Sequence, residues 1–419
     1  MPTPDSPYLS LHRVCQRICF APLEFALLPL FLGCGAEVTQ GVTTTVRDST
    51  GVTIVENQGP VQQMGSEWVI SSEPTLVIGS IDGPEVSQLY RVRGALRLPD
   101  GRVAVGNAGT NEIRIFGPDG GHLMNLGGDG EGPGEFSYVS LVGLLGDSLV
   151  VLDRRLRRVS LIHPDEGFVR SFVLEESVGG YPMDAWVFKS GGMLVQDLPL
   201  DDAMLGDGFH RNPLPLRACD MAGALQADLG GWPGAEQVII TRETDHGLAT
   251  MLNSVPFGKS PQISVAGDRM YFAAGDTYEI GSYGSDGTLH RIVRLDRSPV
   301  PVGETELSAF IDQELEGLDE NEARARRREL EEMPRMDFHP AHGAIMADAE
   351  GNLFVEEHQL PGAGPPLVNV FDPAGWLTGH FRLPADLQLL EIGEDYLLGL
   401  VLDDMEVEYV YLYRLERPA

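Results

Sequence analysis

The chain has 419 residues, 42% hydrophobic and 22% charged, and its 62 Asp and Glu outnumber 30 Lys and Arg to give a formal net charge of −32 at pH 7. That apolar fraction is enough for a large core. The acidic residues are scattered rather than gathered in a tail, which describes a solvated surface and excludes nucleic acid as a partner, because its phosphates need Lys and Arg.

Residues 1–33 read as a leader. Arg13 and Arg17 precede the apolar run Phe25–Leu32, which is too short to span a bilayer and has the length of a signal-peptide core. The run ends in Phe31-Leu-Gly-Cys34, which resembles a bacterial lipobox. The resemblance implies lipidation of Cys34 and removal of residues 1–33. With Gly35 rather than Asp after the cysteine, it also implies an outer-membrane or cell-surface location, with the membrane contacted through the lipid anchor. Cys15 and Cys19 fall in the leader, so the mature chain keeps Cys219 without a disulfide partner. Cys219 lies in strand-like Leu216-Arg-Ala-Cys-Asp-Met-Ala and is expected to be a buried structural thiol. Residues 34–50, rich in Thr and Gly and without periodicity, read as a flexible tether.

From residue 51 to 418 the chain repeats one hairpin pattern six times: an apolar strand, a tight turn on Asp, Glu or Gly, and a second apolar strand. The copies are Leu96–Val105, Leu144–Val151, Trp186–Val195, Ile263–Phe272, Ile345–Val355 and Leu389–Leu398. Most are followed by a second hairpin, as in Ile113–Leu126 and Val370–Phe381, so each unit has four strands. Four-stranded units of roughly 40 to 50 residues match a propeller blade. The fold class is therefore all-β, a six-bladed β-propeller with a small inserted helical segment.

Within that pattern, Gly94–Phe136 is similar to one unit of the six-bladed propellers of the NHL type. The residues that carry the similarity are Leu98-Pro-Asp-Gly-Arg-Val-Ala-Val105, Asn107-Ala-Gly-Thr-Asn111 before Ile113–Phe116, and the linker Gly128-Asp-Gly-Glu-Gly-Pro-Gly-Glu-Phe136. The resemblance implies the fold over most of the chain and no particular activity. The same linker lacks the Lys and the glycine spacing of a phosphate loop, and Asp129, Glu131 and Glu135 would repel phosphate, so it reads as an inter-blade connection.

Two intervals, Gly191 to Asp268 and Asp268 to Glu350, are close to twice a blade. The second holds helical spacing over about residues 303–336 (Leu307, Phe310, Ile311, Leu315, then Glu322–Met333), closed by Pro334: an inserted helical pair. The last copy lacks a full set of strands, so Val52–Val55, Trp68–Ile70 or Thr75–Ile78 is expected to complete it and close the ring, removing an open sheet edge.

Candidate site residues follow from topology. In a propeller the second-to-third-strand turns and the blade-to-blade linkers emerge on one face, which places His339, His342, His358, Asp153 and Asp276 together as ligand-binding candidates. His339-Pro-Ala-His342 is the only close His pair, and no HExxH or CxxC spacing accompanies it. Asp245-His246 has no nucleophile near it in sequence and G-x-S-x-G is absent, so no catalytic residue is assigned. No cofactor is required. Ca²⁺ is the one ion that acidic turns around a channel could hold. The chain reads as an envelope-anchored propeller that binds or scaffolds an unknown small molecule or envelope protein. Alternatives are a metal-dependent lactonase, esterase or lyase, and a sensory module that docks a protein through the helical insert.

Overall fold

A computed structural model describes residues 43–59, 61–175, 180–199, 206–244 and 247–418. The leader, Cys34 and Asp245-His246 lie outside the described residues.

Six antiparallel meanders follow one another along the chain. Blade 1 runs Val92–Arg97, Val103–Asn107, Glu112–Phe116 and His122–Gly127, and blade 2 runs Ser140–Leu145, Ser148–Asp153, Arg158–His163 and Gly167–Val173. Blade 3 takes Gly180–Val187, Met193–Pro199, Leu214–Cys219 and Leu225–Trp232, and blade 4 takes Gln262–Ala266, Arg269–Ala273, Glu279–Gly284 and Leu289–Leu295. Blade 5 is Ile345–Ala347, Leu353–Glu356, Leu367–Phe371 and Leu377–Arg382. Blade 6 is Gln388–Ile392, Tyr396–Leu402 and Glu408–Glu416.

The first strands touch in cyclic order, blade 1 to 2 and onward to 6 and back to 1, so they form the inner wall of a closed β-propeller. Position within the blade explains the residue types. The second strand lies between neighbouring blades, and Val103–Asn107 is buried throughout. The fourth faces solvent on one side, and His122–Gly127 alternates between partly buried and exposed.

Leu76–Ile78 closes the ring by pairing antiparallel with Val410–Leu412 as the fourth strand of blade 6. Val69–Ile70 adds two pairs at Leu415 and Glu416. Val52–Gln58 takes a different place, parallel to Leu289–Leu295 on the outer edge of blade 4. Thr43–Ser49, read from sequence as the end of a tether, is instead a strand that covers that edge. Buried Asn57 explains the docking: its side chain donates to the Arg294 and Gly375 carbonyls and accepts from the Leu377 N–H, joining blade 4 to blade 5.

The first long interval holds a three-stranded sheet, Gly208–His210, Gln237–Thr244 and Gly247–Ser254, which the sequence reading did not identify. The second holds the helices Glu304–Glu314 and Glu320–Glu332. Asp319 caps the second helix and Glu322 returns the bond to the Asp319 N–H. Leu307, Phe310, Ile311, Leu315, Leu330 and Met333 pack on Val238 and Val255, so the helices cover the inserted sheet. Cys219 is a buried free thiol, and burial pushes its pKa up, the direction of an inert cysteine.

Candidate functional site

A meander's second strand ends where its first begins, so second-to-third-strand turns and incoming linkers must share an end of the ring. Backbone bonds show it directly: Ala108 N–H donates to Arg91 O, and Ala341 N–H donates to Gly275 O. The helical insert leaves the ring by the linker into blade 5, and the inserted sheet by the second-to-third-strand turn of blade 3 and the linker into blade 4, all at this end. The six first strands enclose a cavity of about 1140 Å³ that opens here.

The linker into blade 5 supplies His339 and His342, and the second-to-third-strand turn of the same blade supplies His358. The structure brings these sequence candidates together. His339 and His358 have ring centroids 5.3 Å apart, and Phe257, from the linker into blade 4, stands edge-on to both at 4.5 and 6.3 Å. His342 sits edge-on to Tyr278 at 5.8 Å. His339 and His342 are only 6% and 3% exposed. His342 Nδ1 bonds the Gly343 carbonyl, which makes Nδ1 the donor and leaves a lone pair on Nε2.

Four ring nitrogens here are buried without a partner: both of His339, Nε2 of His342 and Nε2 of His358. Burial holds all three histidines below the usual imidazole range. His358, pressed further by the charges its two neighbours would carry, falls to about 4. The cluster is thus neutral near pH 7. Of the three, His358 lines a groove of about 990 Å³ between Phe257, the helix residues Phe310 and Gln313, and the turn His358–Ala363, with His339 behind it.

Asp276, also a sequence candidate, lies on the equivalent turn of blade 4. Both of its oxygens accept from the Arg211 guanidinium at 2.7 Å, which holds its pKa below the usual carboxylate range. The pair fastens the inserted sheet's leading segment to the ring. Asp153 is fully buried, and its oxygens accept from the Ser137 and Tyr138 N–H groups in the linker and from the Arg155 and Leu156 N–H groups in the turn. Its lone pairs are committed to backbone, so its effect on a ligand is through the residues it positions.

Sequence reasoning missed Glu391, in the cavity wall on blade 6. It is half-buried, accepts from the Arg97 N–H at 2.7 Å, and is pushed up to about 7 by desolvation in the cavity wall. Nothing in its local sequence marks it, because the apolar surroundings come from other blades. Among the described residues no group of three or more His, Cys, Asp or Glu is placed to hold a metal ion.

No family model and no curated protein matches the sequence. Among solved structures, a DUF4221 family member from Bacteroides vulgatus aligns with a TM-score of 0.50 at 12% identity, over 84% of this chain and 99% of that one. A Bacteroides fragilis protein assigned as exported gives 0.47 at 12% identity, over 87% and 100% of the two chains. Virginiamycin B lyase from Staphylococcus aureus gives 0.37 at 12% identity, over 84% and 100%. At this identity the likeness concerns the β-propeller fold alone.

Proposed function

We propose that this chain is an exported, lipid-anchored propeller that binds a small polar molecule in the groove beside His339, His342 and His358. The carrying observation is the set of four buried ring nitrogens without partners. Buried polar atoms in folded proteins are almost always hydrogen-bonded, and each orphan costs about 1–3 kcal/mol. A ligand entering the adjoining groove reaches the cluster at His358, with the rings of His339 and His342 behind it. Neutral imidazoles offer both donors and acceptors to it.

The competing reading, a metal-dependent lactonase, esterase or lyase, needs oxygen and nitrogen ligands from several blades around one point, and calorimetry with Ca²⁺ and Zn²⁺ followed by a lactone and ester screen tests it. A thermal-shift screen of polar metabolites on the full chain, repeated on His339→Gln and His358→Gln, tests binding in the groove. Hits whose stabilisation disappears in both variants support the reading. Hits that stabilise the variants equally refute it. The lipid anchor is tested separately: Cys34→Ser should move the protein from the membrane to the soluble envelope fraction, and a wild type already soluble refutes the anchor.

A further inference from the structure

We propose a second, separate binding site on the same face, at the mouth of the central channel between blades 1 and 2, that takes a small molecule carrying a phosphate or polycarboxylate group. The site is a pocket of about 380 Å³ lined by Arg91, Arg93, Arg154 and Arg155 together with Asn111 and Tyr138, and it opens into the channel cavity.

In a chain of net charge −32 many arginines find carboxylates, as Arg102, Arg211, Arg217, Arg294 and Arg417 do. The four of the pocket make no ion pair among the described residues. Arg154 stacks on the Tyr138 ring at 4.1 Å and Arg91 on Tyr90 at 5.1 Å, contacts that orient a guanidinium while leaving its N–H fork unused. Arg155 spends one N–H on the Ser137 carbonyl.

The backbone holds them there by one device used twice. The last residue of the second strand, Asn107 in blade 1 and Asp153 in blade 2, accepts from linker N–H groups, Tyr90 in the first case and Ser137 and Tyr138 in the second. Turn and linker are thereby clamped together, with Arg91 beside the first clamp and Arg154 beside the second. Gly109 permits the first clamp, since a Cβ there would lie 2.4 Å from the Tyr90 ring. Arg91 itself has φ +57°, a left-handed conformation that an arginine adopts only where its surroundings impose it.

The acidic groups nearby do not fill the site. Glu408 bonds the Val92 N–H, Asp129 bonds Asn111, and Asp153 is taken up by backbone. Asp184, on the first strand of blade 3, is exposed in the channel and feels the charges of Arg154 and Arg93 but makes no ion pair with either among the described residues, so it competes with a ligand without occupying the forks. Planar forks without carboxylates suit bidentate capture of phosphate or carboxylate oxygens. The surrounding negative field repels long polyanions and selects for small ones.

Calorimetry on the full chain at low salt, with pyrophosphate and citrate as probes and glucose as the neutral control, tests this. Saturable binding of at least one anion is expected, weakening with added salt. Arg93→Ala and Arg154→Ala should each lower affinity about tenfold or more, Arg154→Lys should lose less than Arg154→Ala, and Asp184→Asn should tighten binding. All are polar changes at exposed or half-exposed positions or isosteric, and circular dichroism verifies folding. Arg335→Ala, on the helical insert, and the two His→Gln variants should leave anion affinity unchanged, which separates this site from the imidazole groove. Absence of binding by both anions, binding insensitive to Arg93 and Arg154, or binding only to phosphatidylglycerol vesicles would each overturn the proposal.

Discussion

Ring closure is the feature on which the rest of the fold depends, and Ile78 tests it. Leu76 and Ile78 point into the seam between blades 6 and 1, against Val92, Val103, Phe116, Leu398 and Val410, while Val77 between them is 45% exposed. Ile78→Ala removes three carbon atoms from a site only 1% exposed. At about 0.8 kcal/mol per methylene the transfer loss is about 2.4 kcal/mol. The neighbouring strands are hydrogen-bonded on both sides and cannot collapse into the space, so a cavity contribution brings the total to about 3.5 kcal/mol. Val77→Ala, one residue away on the same strand, should cost about 0.5 kcal/mol or less. Urea unfolding followed by tryptophan fluorescence measures both at constant m-value. Equal costs for the two variants, or a cost below about 0.5 kcal/mol for Ile78→Ala, would refute the register, because a slip of one residue exchanges the buried and exposed faces. Ile78→Asp should go further and open the ring, with light scattering reporting association through the exposed edge.

Glu391 should make stability fall as pH rises. The unfolded carboxyl loses its proton near 4.5 and the folded one near 7, so between those values the native state binds more protons and is destabilised by up to about 3 kcal/mol. Glu391→Gln should flatten that slope, and an unchanged pH profile would show that the carboxyl is not desolvated as described. His358 has the opposite sign: its folded value near 4 lies below the 6.5 of an ordinary imidazole, so stability is lost as pH falls from about 6.5 toward 4, and His358→Gln should reduce the loss. Asp153→Ala strands four backbone N–H groups and should cost about 3 kcal/mol, whereas Asp153→Asn, which keeps an acceptor, should cost markedly less. Equal costs for the two would argue that packing, not the clamp, is what Asp153 provides.

The blades were legible because their turns demand particular residues. Gly101, Gly191, Gly351 and Gly375 all have φ between +87° and +92°, and the flanking strands are apolar because neighbouring blades bury them. The inserted sheet was not legible. Gln237–Thr244 carries the apolar run Val238-Ile-Ile240 followed by polar residues instead of the period-two alternation of the blades, and Gly208–His210 is too short for a pattern. The histidines could be grouped from topology alone, since the linker and turn of one blade must meet. The cluster's burial could not be foreseen, because Phe257 and Tyr278 come from outside blade 5. Asp153 shows the limit for single residues: a carboxylate at the end of a strand looks the same in sequence whether it faces a ligand or, as its hydrogen bonds show, four backbone N–H groups.

The arginine pocket shows why such a surface resists reading from sequence. Arg91 and Arg154 are 63 positions apart, and each is unremarkable beside its own neighbours. They meet because each first strand packs against the next, and apolar clusters such as Leu98, Ile113, Phe136, Leu149 and Val151 fix that packing between blades 1 and 2. The ring is therefore held by residues that never reach the channel mouth. Turn residues are free to carry charge so long as Asn107 and Asp153 keep the backbone in place. It follows that arginine substitutions at the mouth should leave stability nearly untouched while changing binding, and clamp substitutions should change both. A binding loss at Arg93 or Arg154 accompanied by an equal loss of stability would break that separation.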